Sequence, residues 1–409
     1  MTRETLVVFD VDGVIIPKGV FLYKIIQKHR PGQILNLVIP GVKYLLGLSQ
    51  IKPAITRIYS ILKDLPPDII NKIIDDIPLK PGAQQVFKEL KQQGYKTALI
   101  TSGIPQQALE SLKNKLDIDY IIGPTLTTEK GLLTGKVKGT VLEKDGKSKA
   151  LSTLLAEQNL QDYNIISIAD DRNNIPLFKN SDTSIGYHPD FLLYHYSDHV
   201  VTRGLLNILP IILDKPHPRV NPGKSTILRK IVHASSILIP LILLEHLGTY
   251  PVVALLLLAM TLYTVSEATR ILGDSLPFFT WFTHLNTTDT EASEFVDAPL
   301  FYALGIIITL LIFPRETASA AIAVLALGDS TAALTGSLTG KHKLPYCKDK
   351  TIEGTIAGLI AAYIAASYFL SPTSALVAAL SGTLAETLPM PFNDNLVIPL
   401  TVGLALTII

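Results

Sequence analysis

Two carboxylates stand two residues apart in "LVVFDVDGVI", where Asp10 and Asp12 follow directly on an apolar run. At a strand end such residues point to the same side, so one can attack an electrophile while the other handles a proton. Three further stretches carry compatible groups. "ALITSG" places Thr101 and Ser102 where a hydroxyl and a backbone N–H can hold a phosphate. "GKSKALSTLL" offers Lys147 at the start of a helical pattern, a cation for the same phosphate. "IISIADDRNN" closes a third apolar run with Asp170 and Asp171, then Asn174, oxygen donors suited to Mg²⁺.

A second group of polar residues lies among long apolar runs. "RKIVH" carries Arg229, Lys230 and His233, and "SEATR" carries Glu267 and Arg270. "GDSTAALTGSLTGKHKLPYCKDKTIEG" carries Asp329, Lys341, His342, Lys343, Lys350 and Glu353. "ETLPMPFNDNLVIPL" adds Glu386, Asp394 and Asn395. Ionisable residues at such places are costly and mark functional sites. Lysines can neutralise a nucleoside triphosphate while Asp329, Glu386 or Asp394 holds Mg²⁺ between its phosphates. Ala332, Gly336 and Gly340 recur every four residues and leave a smooth helix face, open to another helix or a ligand.

The elements that must position these groups differ between the two halves. The chain has 409 residues, of which 48% are hydrophobic and only 17% charged, too apolar for an ordinary soluble enzyme of this length. Residues 1–213 alternate short apolar strands (Leu6–Phe9, Thr97–Ile100, Asn164–Ile168) with helical patterns, which predicts a parallel, doubly wound α/β sheet. Amphipathic patterns over about 20–77 predict a helical cap, and Thr128–Val137 a hairpin. "DKPHPRVNPGK", 214–224, reads as a stiff linker. From 225 to 409 the pattern predicts an all-α polytopic membrane domain of about seven spans, near 230–246, 249–268, 296–313, 317–338, 352–370, 373–388 and 395–409. Lysine and arginine placement puts the loops at 269–295, 339–351 and 389–394, and with them the first domain, on the cytoplasmic side of the cell membrane. No cleavable signal sequence is expected at the start, which runs straight into a strand. The single cysteine, Cys347, excludes an intrachain disulfide and a cysteine-based zinc site. The formal net charge of +1 carries no information about partners, and no nucleic-acid partner is expected.

In this order the first four stretches resemble the haloacid-dehalogenase (HAD) superfamily of phosphatases, over about residues 5–213, and look closest to its phosphoserine-phosphatase-like branch. The resemblance implies a Rossmann-like domain that hydrolyses a small phosphoester. Asp10 would be the nucleophile that becomes an aspartyl-phosphate and Asp12 the general acid/base. Lys147 with Ser102 or Thr101 would hold phosphate, and Asp10, Asp12, Asp170 and Asn174 would hold Mg²⁺. Where the family commonly has G-D-G-x-N-D, this chain has "ADDRNN", so Asn174 stands at an often acidic position.

The second group, over about 225–409, resembles the dolichol kinase and phytol kinase family of polyprenol kinases. That resemblance implies CTP-dependent phosphorylation of a long-chain isoprenoid alcohol at the bilayer surface. Lys341, His342, Lys343, Lys350, Glu353 and Asn395 would then bind the nucleotide. Asp329 would be a metal ligand or base, and Asp394 a metal ligand. Arg229, Lys230, His233, Glu267, Arg270 and Glu386 would line the site without an assigned role. Membrane cytidylyltransferases share part of this pattern, but their G-H-G-G…D-R-x-D-S signature is absent here. A diacylglycerol-type lipid kinase, or a transporter or anchor beside an active phosphatase, are the other readings. A transporter would place its polar residues near the bilayer midplane rather than at span ends.

Overall fold

In a computed structural model of the protein, residues 4–29, 51–202, 204–215, 224–272, 296–388 and 392–408 are described, with Gly32, Thr283 and Thr287. The chain divides into two compact units, Met1–His217 and Pro218–Ile409.

The first unit is built on six parallel strands: β1 (Thr5–Phe9), β2 (Lys96–Ile100), β3 (Tyr120–Ile122), β6 (Asn164–Ala169), β7 (Thr183–Tyr187) and β8 (His199–Val201). Their order across the sheet is β3-β2-β1-β6-β7-β8. β1 is central, with Leu6–Phe9 beside Lys96–Leu99 on one flank and Thr5–Phe9 beside Asn164–Ile168 on the other. A strand covered on both faces reads as a continuous apolar run, and Leu6, Val7, Val8 and Phe9 are all fully buried. The chain winds outward from β1 to β3, then returns to the opposite flank of β1 through β6. The order therefore reverses between β1 and β6, and the crevice beyond their carboxyl ends is where such sheets bind ligands.

Helices α1 (Val20–His29), α2 (Ile51–Tyr59) and α3 (Asp68–Asp75) fall within the stretch expected to form a cap, the rest of which, through position 50, lies outside the described residues apart from Gly32. Ile69, Ile70, Ile73 and Ile74 of α3 are buried, the two-turn stripe of an amphipathic helix. Helices α4 (Ala83–Gln92), α5 (Gln106–Leu116) and α6 (Gly146–Glu157) flank the sheet. β4 (Thr125–Glu129) and β5 (Leu132–Lys138) form the expected antiparallel hairpin, one to three residues longer at each end than Thr128–Val137. Strands β3, β7 and β8 were not anticipated. Two are three residues long, and β7 contains glycine and serine, so none carries a strand signature of its own.

The second unit is helical: α7 (Lys224–Leu247), α8 (Thr249–Leu272), α9 (Ala298–Ile312), α10 (Arg315–Thr339), α11 (Ile352–Ser367), α12 (Pro372–Thr387) and α13 (Asp394–Ile408). Each expected apolar span coincides with one of these helices. Among the described residues, only α7, α8 and α10 contain stretches long and apolar enough to cross a membrane. The 15- or 16-residue helices α9, α11, α12 and α13 are about 22–24 Å long, short of a hydrocarbon core of about 30 Å. Of the seven expected crossings, three therefore coincide with described helices that meet the length and composition for one.

α10 is the core of this unit, 72% buried over its apolar window, whereas α7 and α8 are 11% and 22% buried and turn apolar side chains outward. Both α7 and α10 contain a π-helical turn, at Ile239–Leu243 and Val324–Asp329. The smooth face of α10 is filled by another helix. A Cβ at Gly354 of α11 would stand 2.6 Å from the Ala332 carbonyl, and one at Gly358 2.7 Å from the Ala332 Cβ. Glycine at these places lets the two backbones approach, as in membrane helix pairs. The loop after α10 holds a short hairpin, β9 (Lys343–Leu344) and β10 (Cys347–Thr351).

Candidate functional site

In the first unit the charged groups converge at the switch point. Asp10 leaves the end of β1 and is 4% exposed. Lys147 Nζ donates to Asp10 Oδ2 at 2.6 Å and to Asn174 Oδ1 at 2.7 Å, and Asn174 Nδ2 donates to the same Asp10 oxygen at 2.7 Å. The Val11 N–H donates to Asp10 Oδ1 at 2.8 Å. Both Asp10 carboxylate oxygens are thus oriented by named donors. Lys147 reaches this point because α6 starts against the 140–142 turn, where a Cβ at Gly146 would lie 2.1 Å from the Thr140 carbonyl. Only glycine permits that approach, and it fixes where the helix, and the lysine on its first turn, begins.

Asp170 and Asp171 leave the end of β6, and ligand atoms of Asp10, Asp170 and Asp171 all lie within 4.8 Å of one another. Three hard oxygen donors at this spacing fit a Mg²⁺ ion. Burial pushes the Asp170 carboxyl up to about 7, Lys18 opposing and Asp171 and Asp10 adding to the shift. A divalent cation would relieve that crowding of like charge. Lys18 Nζ donates to Asp170 Oδ2 at 2.6 Å. Asp12 and Asn174, expected as metal ligands, stand differently. Asn174 bridges Asp10 and Lys147, and Asp12 Oδ1 accepts from the Gly19 N–H at 2.8 Å. The trio contains Asp171, which was not among the expected ligands. The pair "DD" displayed Asp171 plainly, but a linear reading could not tell that both adjacent carboxylates reach Asp10.

Burial also pushes the Asp12 carboxyl up to about 6, against the Gly19 N–H and Lys18, with Asp10 and Asp171 raising it further. A carboxyl that holds a proton near neutrality is suited to donate one. Ser102 and Thr101 are both buried at the end of β2. Ser102 Oγ donates to the Val141 carbonyl at 2.8 Å and accepts from Asn173 Nδ2 at 3.2 Å, so it faces the turn that carries Asp171. Thr101 Oγ1 instead accepts from the Gly103 N–H at 3.2 Å. Two further residues carry no motif and emerge only in three dimensions. Tyr59 of α2 donates to the Gly103 carbonyl at 2.5 Å, tying the cap to the β2 loop. Buried Lys80 donates to the Gly13 carbonyl at 2.6 Å and braces the loop between Asp12 and Val14.

In the second unit the structure gathers some of the expected residues and separates others. Lys230 Nζ of α7 lies 2.6 Å from Asp329 Oδ2 of α10, with His233 Nδ1 3.8 Å from the same oxygen. Lys350 of β10 lies 3.0 Å from Glu386 of α12 and 3.3 Å from Asp394 of α13. Asp329 lies within electrostatic reach of Lys350, Glu386 and Asp394, so six side chains from five elements form one cluster. Glu267 and Arg270 form an ion pair of their own. They pair with each other at 2.7 and 3.0 Å, and Glu267 also accepts from Thr283 Oγ1 and the Val296 N–H. His342 and Glu353 form a separate pair at 2.7 Å, while Lys341 and Lys343 lie on the surface. The Asn395 carbonyl packs where a Cβ at Gly305 would be, 2.3 Å away. Arg229 sits one residue before Lys230 on α7, within electrostatic reach of His233.

A family model described as haloacid dehalogenase-like hydrolase matches residues 7–179. A phosphoserine phosphatase of Methanocaldococcus jannaschii is 30% identical over 167 residues, covering 41% of this chain and 79% of that protein. One of Lactococcus lactis is 27% identical over 213 residues, covering 52% and 97%. One of Archaeoglobus fulgidus is 24% identical over 214 residues, and there the match spans 61% of the relative's length. Among solved structures, a substrate-bound phosphoserine phosphatase complex is similar at 25% identity and a TM-score of 0.46, covering 52% of this chain and 99% of that one.

Proposed function

The chain belongs, through its first unit, to the haloacid dehalogenase-like hydrolases, and from that membership we propose that this unit is a Mg²⁺-dependent phosphatase acting through Asp10. The observation that carries the reading is the Asp10 carboxylate held by Lys147 and Asn174 beside Asp170 and Asp171. Asp10, Asp170 and Asp171 would hold the metal, which supplies charge neutralisation at the phosphoryl oxygens when bound. An Asp10 oxygen forms a bond to phosphorus as the phosphorus–oxygen bond to the leaving alcohol breaks. Asp12 gives its proton to that alcohol, then takes one from the water that attacks the aspartyl-phosphate. Water's oxygen ends in inorganic phosphate and Asp10 is regenerated. Lys147 and Ser102 orient the phosphoryl group. The phosphoserine phosphatases among the relatives make a small phosphomonoester the substrate class to test first. In the full-length protein in detergent, Asp10→Asn should abolish both turnover and radiolabelled phosphate on the protein; turnover that survives it refutes the covalent route.

For the second unit we propose residence in the cell membrane, with the first unit on the cytoplasmic side, and transfer of a phosphoryl group from CTP to a long-chain isoprenoid alcohol. What supports the reading is the motif order together with the ion-paired cluster around Asp329, which lies among apolar helices. The test is purified protein, a C15–C20 or longer prenol, Mg²⁺ and γ-labelled CTP. Label should reach the prenol, and Asp329→Ala should prevent it; no transfer by the unmutated protein refutes the reading.

A further inference from the structure

Lys18 belongs to none of the four sequence stretches of the first unit, yet it reaches their metal-holding carboxylates. It lies in "PKG", 17–19, between the turn after β1 and the start of α1 in the cap stretch. This short segment is pinned at adjacent residues to two different carboxylates. The Gly19 N–H donates to Asp12 Oδ1 at 2.8 Å, and Lys18 Nζ donates to Asp170 Oδ2 at 2.6 Å. The backbone bond at Gly19 fixes the course of the segment, and so delivers the neighbouring lysine to Asp170. The Lys18 side chain is 47% exposed while that of Asp170 is 6% exposed, so the ammonium closes over a buried carboxylate from the solvent side.

Lys18 selects one oxygen of Asp170. A Cβ at Gly13 would stand 2.2 Å from Asp170 Oδ2 and 3.2 Å from Oδ1, so Oδ2 is the oxygen pressed against the β1 loop. Lys18 holds that same oxygen. Oδ1 lies farther from the loop and is the better placed of the two for a metal. A carboxylate that ligates through one oxygen while the other accepts from a fixed donor is held at one angle, and such outer partners set metal affinity.

Charge balance favours a lysine that stays when the metal arrives. Asp10, Asp12, Asp170 and Asp171 together carry four negative charges when ionised, and Lys147 on Asp10 carries one positive charge. Mg²⁺ adds two more, and Lys18, within electrostatic reach of Asp170, Asp171 and Asp12, adds the fourth. With Lys18 in place the loaded site is neutral. Without it the site would present a net negative charge to a phosphate that is itself an anion.

Resting on the reading of this unit as a Mg²⁺-dependent phosphatase, we propose that Lys18 is a positioning residue for the metal. It acts through Asp170, holding Oδ2 so that Oδ1 is presented to Mg²⁺, and it ties the entry of the cap stretch to the metal site.

The test is calorimetric Mg²⁺ titration of the full-length protein in detergent, in which the heat that Asp170→Asn abolishes marks this site. Lys18→Gln loses both the charge and the reach, and should weaken Mg²⁺ binding about tenfold to a hundredfold. Lys18→Arg keeps both and should restore most of that affinity. Lys24→Gln removes an α1 lysine bonded to the Asp76 carbonyl, away from these carboxylates, and should leave Mg²⁺ affinity unchanged. A half-exposed ion pair adds little to stability, so metal-free Lys18→Gln should melt within about 4 °C of the unmutated protein. Tighter Mg²⁺ binding in Lys18→Gln overturns the proposal, because the lysine would then be a stand-in that the metal displaces. Unchanged affinity, no Mg²⁺ binding by the unmutated protein, or a loss matched by a larger fall in metal-free melting overturns it as well. The expected losses of Mg²⁺ affinity in a protein that turns over no phosphomonoester leave it standing and overturn the phosphatase reading alone.

Discussion

Gly13 sits between the two carboxylates and the rest of the β1 loop, and its replacement by alanine is the most direct test of the metal site. Its φ is +86°, and a Cβ there would stand 2.2 Å from Asp170 Oδ2 and 2.6 Å from its Cγ. Real Cβ contacts stay above 3.0 Å, so the Asp170 carboxylate or the loop must move by about 0.8 Å. The left-handed backbone adds strain of about 1–2 kcal/mol. Mg²⁺ demands near-ideal octahedral geometry, and displacements of about 1 Å near a reacting centre cost on the order of a hundredfold in rate. Gly13→Ala should therefore weaken Mg²⁺ binding at least about tenfold and lower phosphatase kcat about a hundredfold. Gly94→Ala is the control, because Gly94 has φ +80° but nothing within 4 Å of its Cβ position. It carries the same backbone strain without the clash, and should lose some thermal stability and no activity. The assay is phosphatase turnover on an artificial aryl phosphate as a function of Mg²⁺, with calorimetric Mg²⁺ titration of the same samples. If Gly13→Ala matches Gly94→Ala in Mg²⁺ dependence, the placement of Asp170 at the metal is wrong.

Two further outcomes follow from the buried carboxyls. Asp170, pushed up to about 7, is protonated below that pH, and the proton must leave before a metal binds. Apparent Mg²⁺ affinity should thus fall toward about tenfold per pH unit as pH drops from 7 to 5; affinity that is flat over this range refutes the assignment. Asp12 has a folded value of about 6 against an ordinary 3.8, so between those values the folded state holds a proton that the unfolded chain lacks. Stability should rise as pH falls from about 6 to about 4, by on the order of 2 kcal/mol in all. Asp12→Asn should remove that dependence, raise the melting temperature at pH 7 and abolish turnover. A mutant less stable than the parent at pH 7 would show that the Asp12 carboxylate is not penalised by burial.

Much of the first unit can be read along the chain because its determinants are local. Each of the strands at Leu6, Thr97 and Asn164 is an apolar run closed by polar residues, and burial on both faces of a parallel sheet is what makes such runs continuous. Asp10, Ser102 and Asp170 follow those runs closely, so strand ends place them, and Lys147 is placed by the start of α6. Tyr59, Lys80 and the choice of Asp171 could not be read this way. They act through contacts of 44, 67 and 161 residues in sequence separation, which no local pattern encodes.

In the second unit, hydropathy alone identified each of the helices α7–α13, since a long apolar segment has few other options. It did not identify which helix is central. α7 and α10 are both apolar, yet small residues at Gly354 and Gly358 of α11 draw that helix against α10 and bury it, and leave α7 at the rim. The same limit applies to the polar groups. Their order along the chain suggested one composite site, and pairing at about 3 Å shows who meets whom: Lys230 with Asp329, Lys350 with Glu386, and Arg270 with Glu267. Residue type and spacing determined what chemistry each half can attempt. Only close packing decided which charges share a site, because charge pairing among buried groups depends on ångströms, and ångströms are settled when helices and strands meet.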